Sequence, residues 1–205
     1  MQLNEFIDEV YERAGVDRND PLITDTAVTK AVNNALRHYQ FEVDWPWLQA
    51  TTTFVTTTAD TYAVPDDWRK TRVIKDANGT ELRRFDMRQL EDRWTGVETG
   101  SPQEFAIDAD LIVLRPRPSA GLTLTHRYVR KEKMLLQSDD SPYLPDESSI
   151  LVAEYASSIL LRKTRRYSDA TVAMQMYEAE MLKMRDDRRR AVGPGRPRIR
   201  TGSSY

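Results

Sequence analysis

The sequence has no cysteine and only two histidines, His38 and His126. Without thiols there is no disulfide framework, no thiol nucleophile and no thiolate metal site. Two histidines far apart in sequence exclude a His-rich metal site within one chain. Carboxylates are plentiful, yet no calcium-loop pattern orders them, so no metal or cofactor is expected. No run of about 20 apolar residues is present, and no membrane span is expected. The start, MQLNEFIDEVYERAG, carries acids where an export signal needs a basic and then an apolar segment. The glycines form no phosphate loop. Gly193-Pro194-Gly195-Arg196 lacks a strand before it and a helix after it, and its proline removes a backbone donor.

The chain has 205 residues and a mass of 23.7 kDa, enough for one substantial core or a core with a small lobe. Its net charge of −2 hides a gradient. Residues 1–50 hold 4 basic and 9 acidic side chains, whereas residues 151–205 hold 12 and 6. An acidic start and a basic end polarise the molecule, or complement one another between neighbouring copies.

Apolar spacing near 3.6 predicts a helix over 3–14, through Leu3, Phe6, Ile7, Val10, Tyr11 and Ala14, with Gly15 as its stop. Thr24 or Asp25 caps a second helix over about 26–41. The middle changes period. ATTTFVTT at 50–57, TYAVP at 61–65, WRKTRVIKD at 68–76, QEFAID at 103–108, LIVLRP at 111–116 and GLTLTHRYVRK at 121–131 read as strands. Asn78-Gly79 predicts a hairpin into ELRRF at 80–85, and Asp86 caps a short helix. Helices return, one over 147–165 capped by Asp146, with a stripe of Ile150, Leu151, Tyr155, Ile159 and Leu160. After a hinge at Tyr167-Ser168, another runs over about 170–190, and the two form an antiparallel pair.

Catalytic readings fare poorly. Ser148, Ser149, Ser157 and Ser158 sit in predicted helix, away from any strand-to-helix elbow. Each histidine reads as a packing or surface residue. The pairs Asp66-Asp67, Asp139-Asp140 and Asp186-Asp187 read as turn chemistry and solubility. The four tryptophans read as packing at the seam of helices and β lobe, and Met174, Met176, Met181 and Met184 of the last helix as adaptable core, with a partner surface as the alternative. No enzyme is expected.

The least bland feature is the C-terminal run. Arg185, Arg188, Arg189, Arg190, Arg196, Arg198 and Arg200 stand there against Asp186 and Asp187. Arginine grips carboxylates and phosphates alike, so the run suits an acidic protein or a nucleic acid. Residues 191–205, rich in Gly, Pro and Arg, build no core, and Ile199 and Tyr205 are their clearest anchors.

The order of these pieces resembles the head-to-tail adaptor, or connector, proteins of tailed bacteriophages. The likeness is carried by LNEFIDEVYERAG, TAVTKAVNNALRHYQ, WPWL, TTTFVTTTADTYAVPDDW, RRFDMRQLEDRW, TGSPQEFAIDADLIVLRPRP and SDDSPYLPDESSILVAEYAS. The expected class is α+β: a bundle of about four main helices with an inserted antiparallel β lobe and an extended basic arm. Residues 1–49 and 137–190 supply the bundle, 50–136 the β lobe with a short helix, and 191–205 the arm. The resemblance implies a ring, usually of twelve copies, below the portal of the virion neck, extending the DNA channel and offering a platform to the tail. It implies that the arm, with Arg196, Arg198, Ile199, Arg200 and Tyr205, reaches the portal. A stopper or tail-terminator ring and a nucleic-acid-binding regulator using the arm remain alternatives.

Overall fold

The computed structural model describes residues 1–96 and 98–192. In chain order its elements are α1 (Leu3–Ala14), α2 (Asp25–Glu42), a 3-10 turn (Pro46–Leu48), β1 (Gln49–Val55), β2 (Thr61–Ala63), β3 (Trp68–Lys75), β4 (Arg83–Arg84), α3 (Met87–Arg93), β5 (Thr99–Gly100), β6 (Glu104–Asp108), β7 (Leu111–Arg115), β8 (Arg117–Pro118), β9 (Thr123–Arg130), α4 (Asp146–Lys163) and α5 (Tyr167–Val192). Helices and a β lobe are thus combined, as expected. The chain divides into two compact units. One takes residues 1–43 and the chain from 133 onward, the other residues 44–132.

The helical unit is built around α4, which packs on α1, α2 and α5. Helix α1 buries Leu3, Phe6, Val10, Tyr11 and Ala14 and stops at Gly15, whose φ of 56° is left-handed and strained for a residue with a Cβ. Helix α2 is capped by Thr24, whose side chain accepts the Ala27 N–H at 3.3 Å. It buries Val28, Ala31, Val32, Ala35, Leu36 and Tyr39. In α4 the single stripe expected from sequence gives way to burial on several sides, because the helix meets three others. Ile150 is 49 % exposed, while Ser148, Ser149, Ser157 and Ser158 are buried. Those serines act as small residues. Ser157 Oγ donates to the Ala153 carbonyl at 2.8 Å and Ser158 Oγ to the Tyr155 carbonyl at 2.7 Å, so each hydroxyl is satisfied within its own helix.

Two helix ends differ from expectation. Pro145, not Asp146, is the N-cap of α4, its ring holding φ at −62°. Asp146 stands in the first turn, where an acid opposes the helix dipole, and pairs with the Met1 amine. The break between α4 and α5 lies at 164–166 and not at Tyr167-Ser168. Arg165 takes the left-handed step at φ 62°, and α5 begins at once at Tyr167. Leu161 packs with Ala170 and Ala173 beside this link, and Tyr155 meets Tyr177 farther from it, so α4 and α5 run antiparallel.

The segment entering α4 is pinned from both sides. Asn33 of α2, buried, accepts the Leu135 N–H at 2.9 Å and donates to the Leu135 carbonyl at 2.8 Å. The Asp140 carboxylate accepts the backbone N–H groups of Leu136 and Gln137, each at 2.8 Å, and the Lys133 ammonium at 2.6 Å. Those bonds, from Gln137, Lys133 and Leu136, hold its pKa far below the carboxylate range. The backbone carbonyls of Asp140 and Ser138 then accept the N–H groups of Leu3 and Asn4, satisfying the open start of α1.

The β unit carries a three-stranded sheet ordered β1-β9-β3, a four-stranded sheet ordered β2-β7-β6-β4, and a β5-β8 pair. Most pairing is antiparallel, as expected. Two contacts are parallel, β4 with β6 and β5 with β8. The hairpin expected at Asn78-Gly79 forms but is short: the Asp76 N–H donates to the Thr80 carbonyl and the Leu82 N–H to the Ile74 carbonyl, each at 2.9 Å. Asp76 Oδ1 accepts the N–H groups of Asn78 and Thr80, and a lone Lys75–Glu81 bridge follows. The chain then leaves β3 and joins β6 instead, because Leu82 sinks into the core between sheets. That core holds Ile74, Leu82, Phe105, Ile112, Leu114 and Leu124. On the other face of β6 and β7, Ala106 and Val113 pack with Leu90 of α3. Covering on both faces explains the unbroken apolar runs of these strands.

Candidate functional site

The candidate site is a set of surfaces, and α5 carries the main one. Its buried residues Ala170, Ala173, Tyr177 and Met181 recur at helical spacing. At about 100° per residue, Val172, Met176 and Ala179 fall on the opposite side. Val172 and Met176 are 56 % and 58 % exposed, and Leu182 beside them 59 %. Helix α5 is therefore apolar on two faces, and only one is covered within its own unit. Having 26 residues against 18 in its antiparallel mate α4, it also runs on by about 12 Å.

Where α5 passes the end of α2, a groove is lined by His38, Glu42, Met174, Tyr177, Met181 and Arg185. His38 stacks on Tyr155 with ring centroids 4.5 Å apart, and its Nδ1 lies 3.1 Å from the Tyr177 hydroxyl. Burial and the Arg185 charge lower the His38 pKa, and burial raises that of Tyr177. Arg185 forms an ion pair with Glu42. Of the basic residues singled out in the sequence, Arg185 is thus tied to its own unit. Arg188, Arg189 and Arg190 stand on the last turns of α5. Arg196, Arg198, Ile199, Arg200 and Tyr205 lie outside the described residues.

Charge is segregated on the helical unit. Glu5, Asp8, Glu9, Glu12 and Asp146 line one acidic groove along α1. Arg162, Lys163 and Arg165 are exposed at the corner between α4 and α5. Arg13 bridges acids inside this pattern, at 2.6 Å from both Glu9 and Glu154.

The two histidines do not meet any catalytic partner set. His126 on β9 is fully buried, with Nε2 3.0 Å from Thr71 Oγ1, which also accepts the Trp68 indole N–H at 3.0 Å. Burial lowers its pKa to about 4, so it is neutral at pH 7. Glu104 is buried on β6 and holds α3. Arg93 donates to it at 2.8 and 3.1 Å and the Trp94 indole at 2.7 Å. Burial opposes its ionisation, but the Arg93 and Trp94 bonds outweigh that and lower its pKa. All four tryptophans lie in the β unit, and Trp45 stacks on Trp47 with centroids 4.9 Å apart. Among the described residues no cluster of three or more His, Cys, Asp or Glu side chains is placed to hold a metal. No described helix is long and apolar enough to cross a membrane.

Sequence reasoning held a partner surface on α5 only as the alternative for its methionines, of which Met176 is exposed, and missed the Asn33 clamp. The first was legible, since Val172, Met176 and Ala179 repeat at 4 and 3 residues. The second was not, because nothing in sequence pairs residue 33 with residue 135.

A surface built for partners, with no catalytic constellation in its described part, fits a structural virion protein of the connector class. The family model described as SU10 adaptor protein matches residues 1–198. The chain belongs to this family of tailed-phage head-to-tail adaptor proteins, which are structural and not catalytic. No curated protein sequence matches it.

Proposed function

We propose that the chain forms a ring of twelve copies below the portal in the virion neck, after assembly in the host cytoplasm. The ring extends the DNA channel for packaging and ejection and presents a docking platform to the downstream tail or stopper protein. The family match over residues 1–198 carries this reading. The uncovered apolar face of α5 supports it, since a ring protomer needs neighbour surfaces in place of a cleft.

In this reading the arm from residue 191, with Arg196, Arg198, Ile199, Arg200 and Tyr205, contacts the portal. Arg188, Arg189 and Arg190 extend that basic end, while Arg185 fixes α5 to α2 through Glu42. Genomic DNA passes the lumen without sequence-specific contacts, which suits a net charge of −2, because strong phosphate binding would impede sliding.

The test is reconstitution. Full-length chain mixed with portal rings is expected to give a stoichiometric complex whose copies electron microscopy can count. Deleting residues 191–205 is expected to weaken docking, while circular dichroism of the free chain keeps its helical signal. A chain that never joins portal at high concentration sinks the reading.

A further inference from the structure

We propose that the open edge of β1 receives a strand from another virion protein: an extended, uncharged segment of about five to seven residues, alternating apolar and polar. The proposal rests on the adaptor reading and adds a second attachment point, distinct from the arm.

Ladder parity defines the edge. The Thr56 N–H donates to the Leu122 carbonyl at 2.8 Å, and the β1–β9 register runs unbroken back from there to Gln49 opposite Val129. Residues 50, 52 and 54 therefore direct their backbone groups at β9, and Gln49, Thr51, Thr53 and Val55 direct theirs away. The Gln49 N–H turns back to the Pro46 carbonyl, whereas among the described residues Thr51, Thr53 and Val55 have no backbone partner on the open side. Their side chains are exposed as well. Three residues, Thr51, Thr53 and Val55, thus hold both N–H and C=O ready for one more strand.

The other sheet edges are closed. Strand β3 carries Arg69, Lys70, Arg72 and Lys75 and is irregular in register at two places. Beyond it, the Leu82 N–H donates to the Ile74 carbonyl and Arg84 reaches the Thr71 carbonyl. Strands β2 and β4 have three and two residues. Charge, irregular pairing, cover and shortness are the usual guards of a sheet edge. Strand β1 has none of them: seven residues, regular, without proline or charge. From Gln49 to Ala59 no residue is charged, in a chain where 30 % of residues are.

The chemistry of the incoming strand follows from the two faces of β1. Ala50, Thr52 and Phe54 are half-buried, with Phe54 packed on Tyr62 at 5.2 Å, so the residues that fall beside them are apolar. Thr51, Thr53 and Val55 face solvent, and their neighbours are polar and uncharged. The described residues of a ring neighbour do not supply this strand. Among the described residues no other long free edge exists, and β1 against β1 of a second copy is a twofold contact that closes at two chains.

Hydrogen exchange on the full chain, free and in purified particles, tests this. The amides of Thr51, Thr53 and Val55 are expected to exchange freely in solution and to slow on the order of 100-fold in the particle. Equal rates in both states overturn the proposal. A photoreactive side chain carried at Thr51 is expected to crosslink to a different virion protein; a crosslink to β1 of a second copy overturns it. Thr53→Pro removes one outward N–H and leaves the β9 ladder whole. It is expected to reduce tail joining at least tenfold with portal binding unchanged, whereas tail joining at the rate of the parent chain counts against the proposal. Failure of the adaptor reading itself is distinguishable, because the chain would then be missing from the particle neck.

Discussion

The two units are held by different means. The helical unit is assembled from both ends of the chain and closes around α4, whose buried serines and alanines let three helices approach. The β unit is one continuous stretch, closed by strand ladders and by two polar knots, Glu104 with Arg93 and Trp94, and Thr71 with His126 and Trp68. The first depends on chain ends meeting correctly, the second on buried polar groups keeping their protonation state. That difference teaches where each is vulnerable. Substitution at the chain return undermines the helical unit, and acid undermines the β unit.

The probes to separate them are built in. Every tryptophan lies in the β unit, so indole fluorescence reports that unit, while far-UV circular dichroism is dominated by the four long helices of the other. The largest effect expected is for Phe6→Ala. Phe6 is fully buried on α1, and its loss costs about 3–5 kcal/mol, read as an early loss of the helical signal in urea while fluorescence lags. Coincident transitions would break the comparison. Next is Asn33→Ala, which strands the buried N–H and C=O of Leu135 and costs about 2–3 kcal/mol, again in the helical signal first.

Acid sharpens the comparison from the other side. His126 titrates at about 4 in the fold against an ordinary 6.5, so between those values the unfolded chain binds more protons. Stability is whole above pH 6.5 and falls as pH drops toward 4, by about 3 kcal/mol, with tryptophan emission leading. His38 shifts in the same direction but is half-exposed and contributes less. The carboxylates Asp140 and Glu104, both lowered, lose their contributions only as pH falls below the ordinary carboxylate range. His126→Gln should flatten the window between 6.5 and 4, and an unchanged slope would remove His126 as its cause. The smallest effect is Thr24→Ala, which takes the cap from α2 and costs about 1 kcal/mol in the helical transition alone.

Local signals were legible wherever a residue acts on its own neighbours. Gly15 ended α1, Thr24 capped α2, Asp86 capped α3 by accepting the Gln89 N–H at 2.8 Å, and Asp140 organised its turn. Signals failed where a distant partner decides. Asn78-Gly79 made its turn, yet β4 left for β6 because Leu82 finds apolar cover there. The stripe drawn on α4 was too narrow, because a helix surrounded by three others has no single buried side.

For the candidate surfaces the division is the same. The arginine run and the charge gradient are written in composition, since each side chain carries its charge wherever the fold puts it. The pairing of Arg185 with Glu42, the uncovered side of α5 and the free side of β1 are not. They arise only when elements far apart in sequence meet, since what is left unpaired is defined by what has been paired. The sequence alone determined helix ends, strand periods, the absence of thiol chemistry and the order of motifs that marks an adaptor. The tertiary structure decided which apolar faces and backbone groups stay open, because burial and hydrogen bonding are properties of neighbours in space.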